Sequence, residues 1–288
     1  MTESKYSPPV DRLLTYGDCQ KMNEESPDWP DYVKELGLTK EDIPELIRMV
    51  QDDDLNWADQ ESLDIWAPTH AWRALGQLKA VEAVGPLLDF MQEAGNEDDW
   101  ANQELAKVFS MIGAPAIPEL SAFIADTSKP TEVRGWAADC LGAIGLAHPE
   151  LRNKVVSILR KQLAHFEDNS DLNGMLVWGL LDLNAVEAAS EIGMAYMLNK
   201  VDERMAGDWN EAQEALGLKK AEKSKPTPEE LPPLPDISNH ENMVDAYIQM
   251  FGRESMLRQM DEASGNISAK NNPGKKEQKA ANKKKGKK

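Results

Sequence analysis

The sequence has few of the residues on which disulfide frameworks, thiolate metal sites and membrane spans depend. Its 288 residues include only two cysteines, Cys19 and Cys140. Two thiols exclude a disulfide framework and a four-thiolate zinc site within one chain. No uncharged run reaches the roughly 18 residues of a membrane helix, and no positively charged lead precedes an apolar stretch at the start. We therefore expect a soluble cytoplasmic protein with two free thiols.

Common catalytic motifs are missing as well. The chain has no glycine-rich phosphate loop, no G-x-S-x-G and no H-E-x-x-H motif. Of the four histidines only His240 precedes a glutamate, which argues against a di-iron site built from His-Glu pairs. The acids from Asp52 onward begin like a calcium loop, but Trp57 replaces its glycine and Leu63 its final glutamate. The sequence predicts no cofactor, no metal site and no catalytic residue.

Charge is divided unevenly along the chain. The net charge is −18, yet residues 270–288 hold nine lysines and one glutamate, a charge of +8 that leaves −26 for the rest. Without arginine or aromatic residues, such a tail contacts phosphates with no choice of sequence. Ribosomal or other RNA is the expected polyanion, although an acidic membrane surface or the chain's own acidic residues would satisfy the same charges. The lysines predicted to bind polyanions are Lys275, Lys276, Lys279, Lys283, Lys284, Lys285, Lys287 and Lys288.

A four-residue phrase returns along the body of the chain. AVEA occurs at Ala80–Ala83 and again at Ala185–Ala188, 105 positions later. That interval corresponds to three units of about 35 residues, a period typical of helical repeats. One apolar residue closes the first helix of each unit, with spacings of 34, 32 and 39. These closing residues are Leu78, Ile112, Ile144 and Leu183.

Each unit has the pattern of two helices. Apolar residues recur at helical steps on both, and no strand-like alternation competes. The first-helix stripes are Trp72, Leu75, Leu78 and Trp136, Cys140, Ile144; the second-helix stripes are Val81, Val84, Leu87, Leu88, Met91, then Ile117, Leu120, Ile124, then Val155, Val156, Leu159, Leu163. Glycines at first-helix ends predict left-handed caps or close backbone contacts; they are Gly76, Gly113, Gly142 and Gly145. Because one pair cannot bury its own apolar face, neighbouring pairs must stack.

The first-helix endings and the second helices AVEAVGPLLDFM and PAIPELSAFI resemble HEAT-like repeats of the phycobilisome-lyase type. With MAYMLNKVDERMAGDWNEAQEALG they also resemble an uncharacterised bacterial family of helical-repeat proteins that often end in a cysteine-rich SEC-C zinc motif. The resemblance covers about Asp42 to Leu218. It implies an all-α, right-handed α-α superhelix of about four to five helix pairs. The lysine-rich end lacks cysteines, so zinc binding does not carry over.

Two alternatives stay open at this stage. Trp72, Leu75 and Gly76 match the opening of a tetratricopeptide repeat, but Lys79 stands where an aromatic residue is expected and later units lack the phrase. The resemblance to phycobilin lyases leaves a lyase-like enzyme, or its accessory subunit, as the alternative function. The catalytic residues of phycobilin lyases form no compact sequence motif.

The flanking segments predict five regions. Residues 1–38 form a lead-in that packs on the end of the repeats, and 39–218 are the solenoid. Within it, Ile43, Leu46, Ile47 and Val50 share one helix face, with Asp42 and Glu45 as a capping box. Five prolines make 219–240 an extended linker. An amphipathic, methionine-rich helix follows at 241–262, and 263–288 are predicted to be disordered.

Acidic turns and tryptophans supply the candidate binding residues. Acids cluster in turns between repeats, where they would form an acidic ridge that attracts a basic partner, although capping of helices also explains acids there. One tryptophan falls on each first helix, and an exposed one would anchor a peptide. The predicted partner-binding residues are Trp72, Trp100, Trp136, Trp178, Asp53, Asp98, Asp99, Asp168 and Asp171. The sequence thus predicts a non-enzymatic scaffold for a protein or peptide, tethered weakly to RNA or ribosomes by its tail.

Overall fold

A computed structural model describes residues 5–25, 28–59, 62–95, 99–165 and 169–218, and every regular element in these ranges is helical. The predicted all-α class is therefore confirmed. The predicted linker, methionine-rich helix and lysine tail lie outside the described residues. In chain order the α-helices are α1 (Cys19–Glu25), α2 (Tyr32–Leu36), α3 (Ile43–Val50), α4 (Asp53–Asn56), α5 (Ala67–Gln77), α6 (Val84–Ala94), α7 (Asp99–Ile112), α8 (Ile117–Ala125), α9 (Thr131–Ala147), α10 (Arg152–Leu163), α11 (Ser170–Asp182), α12 (Ala189–Met197), α13 (Glu203–Ala206) and α14 (Trp209–Ala215).

The helices from α3 onward pack in two rows. In the first row α3, α5, α7, α9, α11 and α13 each contact the next, and in the second row α6, α8, α10, α12 and α14 do the same. Helices of one row also contact those of the other, as α8 does with α9 and α10 with α11. The predicted apolar stripes lie in the core between the rows, for example Cys140 and Ile144 of α9 and Leu159 of α10, all fully buried.

The two AVEA phrases fold in the same way. Lys79 and Asn184 both take positive φ angles, of 52° and 47°, and the amide of the next alanine donates to a carbonyl five residues back in each case. A 3₁₀ turn follows at Val81–Ala83 and at Val186–Ala188. The repeat is thus a repeat of local structure. The tight turn also makes one prediction wrong, because it points Val81 outward, where it is 44 % exposed, and the buried stripe of α6 starts at Ala83 and Val84.

Two of the four predicted glycines, Gly113 and Gly76, show the two predicted roles, whereas Gly142 and Gly145 lie inside α9, which continues to Ala147. Gly113 takes a φ of +76°, in the left-handed region that favours glycine. Gly76 has an ordinary helical conformation, but a Cβ there would lie 3.3 Å from the Cα of Val108 on α7. Neighbouring first-row helices can therefore approach closely at this point.

The helix α3 buries its predicted face but is capped differently from the prediction. Ile43, Leu46 and Val50 are at most 4 % exposed. The reciprocal capping box joins Thr39 and Asp42 at the 3₁₀ turn before α3, because the chain enters the helix one turn earlier than the apolar pattern indicates. Glu45 instead accepts hydrogen bonds from Arg48 and from the amide of Ser7.

The residues before α3 form short helices that lie against α5. A 3₁₀ helix at Val10–Thr15 and the helix α2 both contact α5. Residues 67–76 of α5 are consequently all buried, including the polar residues His70 and Arg73. We use the term lead-in for residues 5–38 where they are described.

Candidate functional site

The first-row helices α5, α7, α9 and α11 present equivalent positions along one face. These positions lie 12, 8, 5 and 1 residues before the closing residue of each unit, a helical spacing that keeps them on one side. We call this set the first-row face. Its residues are Trp66, His70, Arg73 and Gln77; Trp100, Glu104, Lys107 and Met111; Glu132, Trp136, Asp139 and Ala143; and Asp171, Met175, Trp178 and Asp182.

Side-chain contacts cross from helix to helix along this face. The rings of Trp66 and Trp100 lie 6.2 Å apart, edge to face. Arg73 of α5 forms an ion pair with Glu104 of α7. Met175 of α11 lies directly over Gly135 of α9, where an added Cβ would come within 3.1 Å of its Cγ. Side-chain contacts along this face therefore join α5 to α7 and α9 to α11.

The lead-in covers the α5 and α7 part of the face, which we call the covered half. The Trp29 ring lies 4.0 Å from Lys107 Nζ and 5.0 Å from the guanidinium carbon of Arg73. Gln77 accepts a hydrogen bond from the Tyr32 amide and donates one to the Pro30 carbonyl. Cations above the face of an aromatic ring are attracted to it, so Lys107 and Arg73 hold the Trp29 ring on the covered half.

Buried polar groups fix the lead-in to the covered half. His70 Nε2 lies 3.0 Å from the Gly17 carbonyl, which can only accept, so this nitrogen carries the proton. His70 Nδ1 then accepts from the Tyr32 hydroxyl at 2.8 Å. Burial lowers the pKa of His70 from 6.5 to about 4, so the ring is neutral at neutral pH.

The thiol of Cys19 lies beside this histidine but is not an activated nucleophile. Its Sγ is 3.5 Å from His70 Nδ1 and the side chain is fully buried. Burial raises the pKa of Cys19 to about 12, so the thiol stays protonated. A reactive cysteine needs the opposite environment, which is electropositive and partly exposed.

The α9 and α11 part of the first-row face, which we call the open half, differs in exposure and charge. Trp178 is 49 % exposed, and Glu132 and Asp182 are exposed, whereas in the covered half only Lys107 is exposed and His70 and Arg73 are fully buried. Its eight positions hold four carboxylates and no lysine or arginine. The open half is therefore an acidic surface with two tryptophans on it.

Two of these carboxylates lie close enough to repel each other. Asp139 is half-buried in the middle of α9, and Asp182 ends α11. Burial and the charge of Asp182 raise the pKa of Asp139. Within the described residues, neither carboxylate has a hydrogen bond or an ion pair. Such a pair is costly to the folded state and is relieved by a cation.

A cavity of about 390 Å³ opens on the same half, between the first turns of α9 and α11 and the short helix α13. Its lining residues are Thr131, Glu132, Gly135, Trp136, Asp171, Leu172, Met175 and Met205. Nearby, Arg204 makes a two-pronged ion pair with Asp202 and lowers the pKa of Asp202 to about 2. Asp202 and, more weakly, Asp171 raise the pKa of Arg204, so this guanidinium also offsets part of the charge of one carboxylate of the open half.

The four predicted tryptophans all lie on first-row helices, but their side chains have different surroundings. Trp72 is 2 % exposed, stacks on Phe90 of α6 and donates to Glu104. It belongs to the core, so its ring is not accessible at the surface. Trp100 is half-buried against Trp66, while Trp136 and Trp178 lie on the open half.

Of the predicted acids in turns, only Asp53 and Asp171 have side chains among the described residues. Asp171 lies on the open half, whereas Asp53 is exposed at the start of α4. Asp99 begins α7, and Asp98, Asp168 and the tail lysines lie outside the described residues. Their described neighbours Asp52 and Asp202 cap the helices α4 and α13 through their side chains. Capping thus explains part of the acidity of these turns.

Sequence reasoning missed Glu132, Asp139, Met175 and Asp182. These residues lie inside helices, whereas the predicted acids were residues of turns. The signal that could have found them is their position in the repeat, because each is equivalent to a residue of the covered half. Asp139, for example, is equivalent to Arg73 and Lys107.

No group of three or more histidine, cysteine, aspartate or glutamate side chains that could hold a metal occurs among the described residues. Over those residues no single helix is long and apolar enough to cross a membrane, although Trp100–Ile112 and Ala114–Ala125 qualify as a pair bent by 111°. No protein-family model, curated protein or solved structure matches the chain.

Proposed function

We propose that the chain is a non-enzymatic scaffold with a HEAT-like, right-handed α-α superhelix, and that its open half binds a basic segment of a protein partner. The observation that carries the proposal is the pair Asp139 and Asp182, two neighbouring carboxylates without a cation in the described structure. The two rows of helices and the repeated AVEA turns support the superhelix.

The surroundings of the acid pair favour a lysine or arginine side chain. Asp182 lies at the carboxyl end of α11, where the helix dipole adds partial negative charge. Trp178 lies one turn before it with half of its surface exposed, so an alkyl stem can cover the indole while the charged head reaches the carboxylates. Binding would remove the repulsion that Asp139 experiences in the free protein.

Binding of this kind depends on charge and therefore on salt. The residues outside the tail carry −26, which attracts a basic segment from a distance and speeds association. Salt near physiological concentration largely screens the interaction between exposed charges that lie more than about 8 to 10 Å apart. We expect affinity for a lysine- and arginine-rich peptide to fall steeply as salt is raised.

The test compares labelled peptides on the full-length protein by fluorescence anisotropy. A peptide rich in lysine and arginine should bind, and a peptide with glutamine in place of each basic residue should not. The double variant Asp139→Asn, Asp182→Asn should weaken binding by about tenfold, which is about 1.4 kcal/mol. The matched control removes two exposed charges from the second row, Glu82→Gln and Asp89→Asn, and should bind like the unchanged protein. Equal affinities for both double variants would contradict the proposal.

The lysine-rich end supports a second, weaker contact with RNA or ribosomes. Eight of its nine lysines fall within residues 275–288. Each phosphate contact releases counterions, so the logarithm of the binding constant should fall linearly with the logarithm of the salt concentration. Replacing the eight lysines by glutamine in the full chain should abolish sedimentation with ribosomes at low salt and leave thermal stability unchanged. Retained sedimentation would remove this part of the proposal.

A further inference from the structure

We infer that the cavity between α9, α11 and α13 receives a large apolar side chain of the same partner segment, two residues away from the basic side chain bound at Asp139 and Asp182. This inference rests on the proposed function and specifies the partner further. The partner is an extended segment of the type apolar-x-basic, whose first and third side chains point to the same face.

The composition of the cavity wall favours an apolar occupant. Trp136, Leu172, Met175 and Met205 line it with apolar side chains, and Gly135 contributes no side chain. The two carboxylates of the wall, Glu132 and Asp171, lie in the first turns of α9 and α11, where backbone amides and the helix dipole stabilise negative charge. They attract a cation less strongly than the acid pair at the other end does. Methionine side chains are flexible and adapt to apolar groups of different shape.

The spacing follows from helix and strand geometry. On α9 the wall residues Glu132 and Trp136 are centred five residues before Asp139. At 1.5 Å per residue this is roughly 7.5 Å along the helix axis. An extended segment advances about 3.3 Å per residue and points alternate side chains to the same side, so two residues span roughly 7 Å. A spacing of one residue would point the second side chain away from the face.

A peptide series on the unchanged full-length protein tests the inference without any risk to folding. The reference peptide has leucine two residues before a single arginine. Replacing this leucine by alanine should weaken binding by about tenfold, because a buried leucine side chain contributes on the order of 1.5 kcal/mol or more. Moving the leucine to one residue before the arginine should weaken binding equally. If the alanine peptide and the shifted peptide bind as tightly as the reference, the inference is wrong.

A variant whose new side chain fills the cavity tests whether the leucine of the reference peptide binds there. Thr131 lines the cavity, is half-buried and makes no side-chain hydrogen bond with any described residue, so Thr131→Phe is designed to place a ring in the cavity. The variant should bind the leucine peptide about tenfold more weakly and the alanine peptide with unchanged affinity. An equal loss for both peptides, or no loss for either, would show that the leucine binds elsewhere. A different variant tests the proposed function. If the acid pair binds the basic side chain, the double variant Asp139→Asn, Asp182→Asn weakens the binding of the leucine peptide and of the alanine peptide equally.

Discussion

The covered and open halves of the first-row face use the same helical positions for opposite chemistry. On α5 and α7 these positions hold His70, Arg73 and Lys107, and the chain's own Trp29 lies on the two cations. On α9 and α11 the equivalent positions are half-buried or exposed, and they hold Trp136, Asp139, Met175 and Trp178. The covered half shows that this face can be occupied by an irregular segment, held by one aromatic ring and a few hydrogen bonds. Asp139 stands where α5 and α7 hold cations, which is why we propose a basic occupant for the open half.

The largest effect is expected from breaking the buried ion pair of the covered half. Arg73 is fully buried, and Glu104 accepts hydrogen bonds from Arg73 and from Trp72. Glu104→Ala would leave a buried guanidinium without its carboxylate, and such losses cost about 3 to 5 kcal/mol. Chemical denaturation should show this decrease in the free energy of unfolding. Glu82→Ala, at an exposed site, should change it by less than about 0.5 kcal/mol. A similar small change for Glu104→Ala would show that the pair does not stabilise this half.

Acidification should weaken the covered half through His70. Its pKa is about 4 in the folded protein and near 6.5 when unfolded, so the unfolded chain binds more protons between these values. The stabilisation is complete above pH 6.5 and is lost as the pH falls toward 4, a decrease of about 3 kcal/mol. His70→Gln should flatten this part of the curve of unfolding free energy against pH.

Other groups titrate in the same window, so a second histidine provides the control. His165 is exposed after α10, and His165→Gln should leave the curve unchanged. A His70→Gln curve as steep as that of the unchanged protein would rule out His70 as the cause.

A smaller effect is expected from removing the ring that lies on the cations. Trp29 is half-buried over Lys107 and Arg73, so Trp29→Ala should lower the free energy of unfolding by about 2 kcal/mol. Amide hydrogen exchange of residues 28–38 should accelerate at the same time, while exchange in α9 and α11 should not change. Trp57, which is 78 % exposed, provides the control, since Trp57→Ala removes a ring with little buried surface. Equal stability of the two variants would show that Trp29 does not hold the lead-in.

The smallest effect has the opposite sign and concerns the open half. Because burial and Asp182 raise the pKa of Asp139, the ionised carboxylate destabilises the fold at neutral pH. Asp139→Asn should therefore increase the free energy of unfolding at pH 7, by less than about 1 kcal/mol, and this gain should vanish at acidic pH where the carboxyl is protonated. A variant that is more stable but binds a basic peptide less well is typical of a binding site. A loss of stability at pH 7 would mean that Asp139 has a structural role.

Much of the fold could be predicted because it depends on local periodicity. The stripes of α8 and α10 lie in the core as the apolar spacing predicts, since a helix must bury whichever side is apolar. The turn at Val81 was predicted less well, because the positive φ of Lys79 and the 3₁₀ turn have no signal in hydrophobicity.

The candidate site could be predicted only in part. Trp136, Trp178 and Asp171 were predicted and lie on the open half. The contact of Trp29 with Arg73 joins residues 44 positions apart, without any periodic pattern, so the covering of α5 could not be foreseen. The proximity of Asp139 and Asp182 could not be predicted either, because the repulsion between the two carboxylates depends on the distance between α9 and α11.

Hydrogen exchange of the full-length protein with and without a saturating basic peptide tests the central claim most directly. The account predicts slower exchange in α9 and α11, around Trp136, Asp139 and Trp178, and unchanged exchange in α5 and in the lead-in. Protection confined to α5, or displacement of the lead-in with faster exchange at residues 28–38, would contradict it.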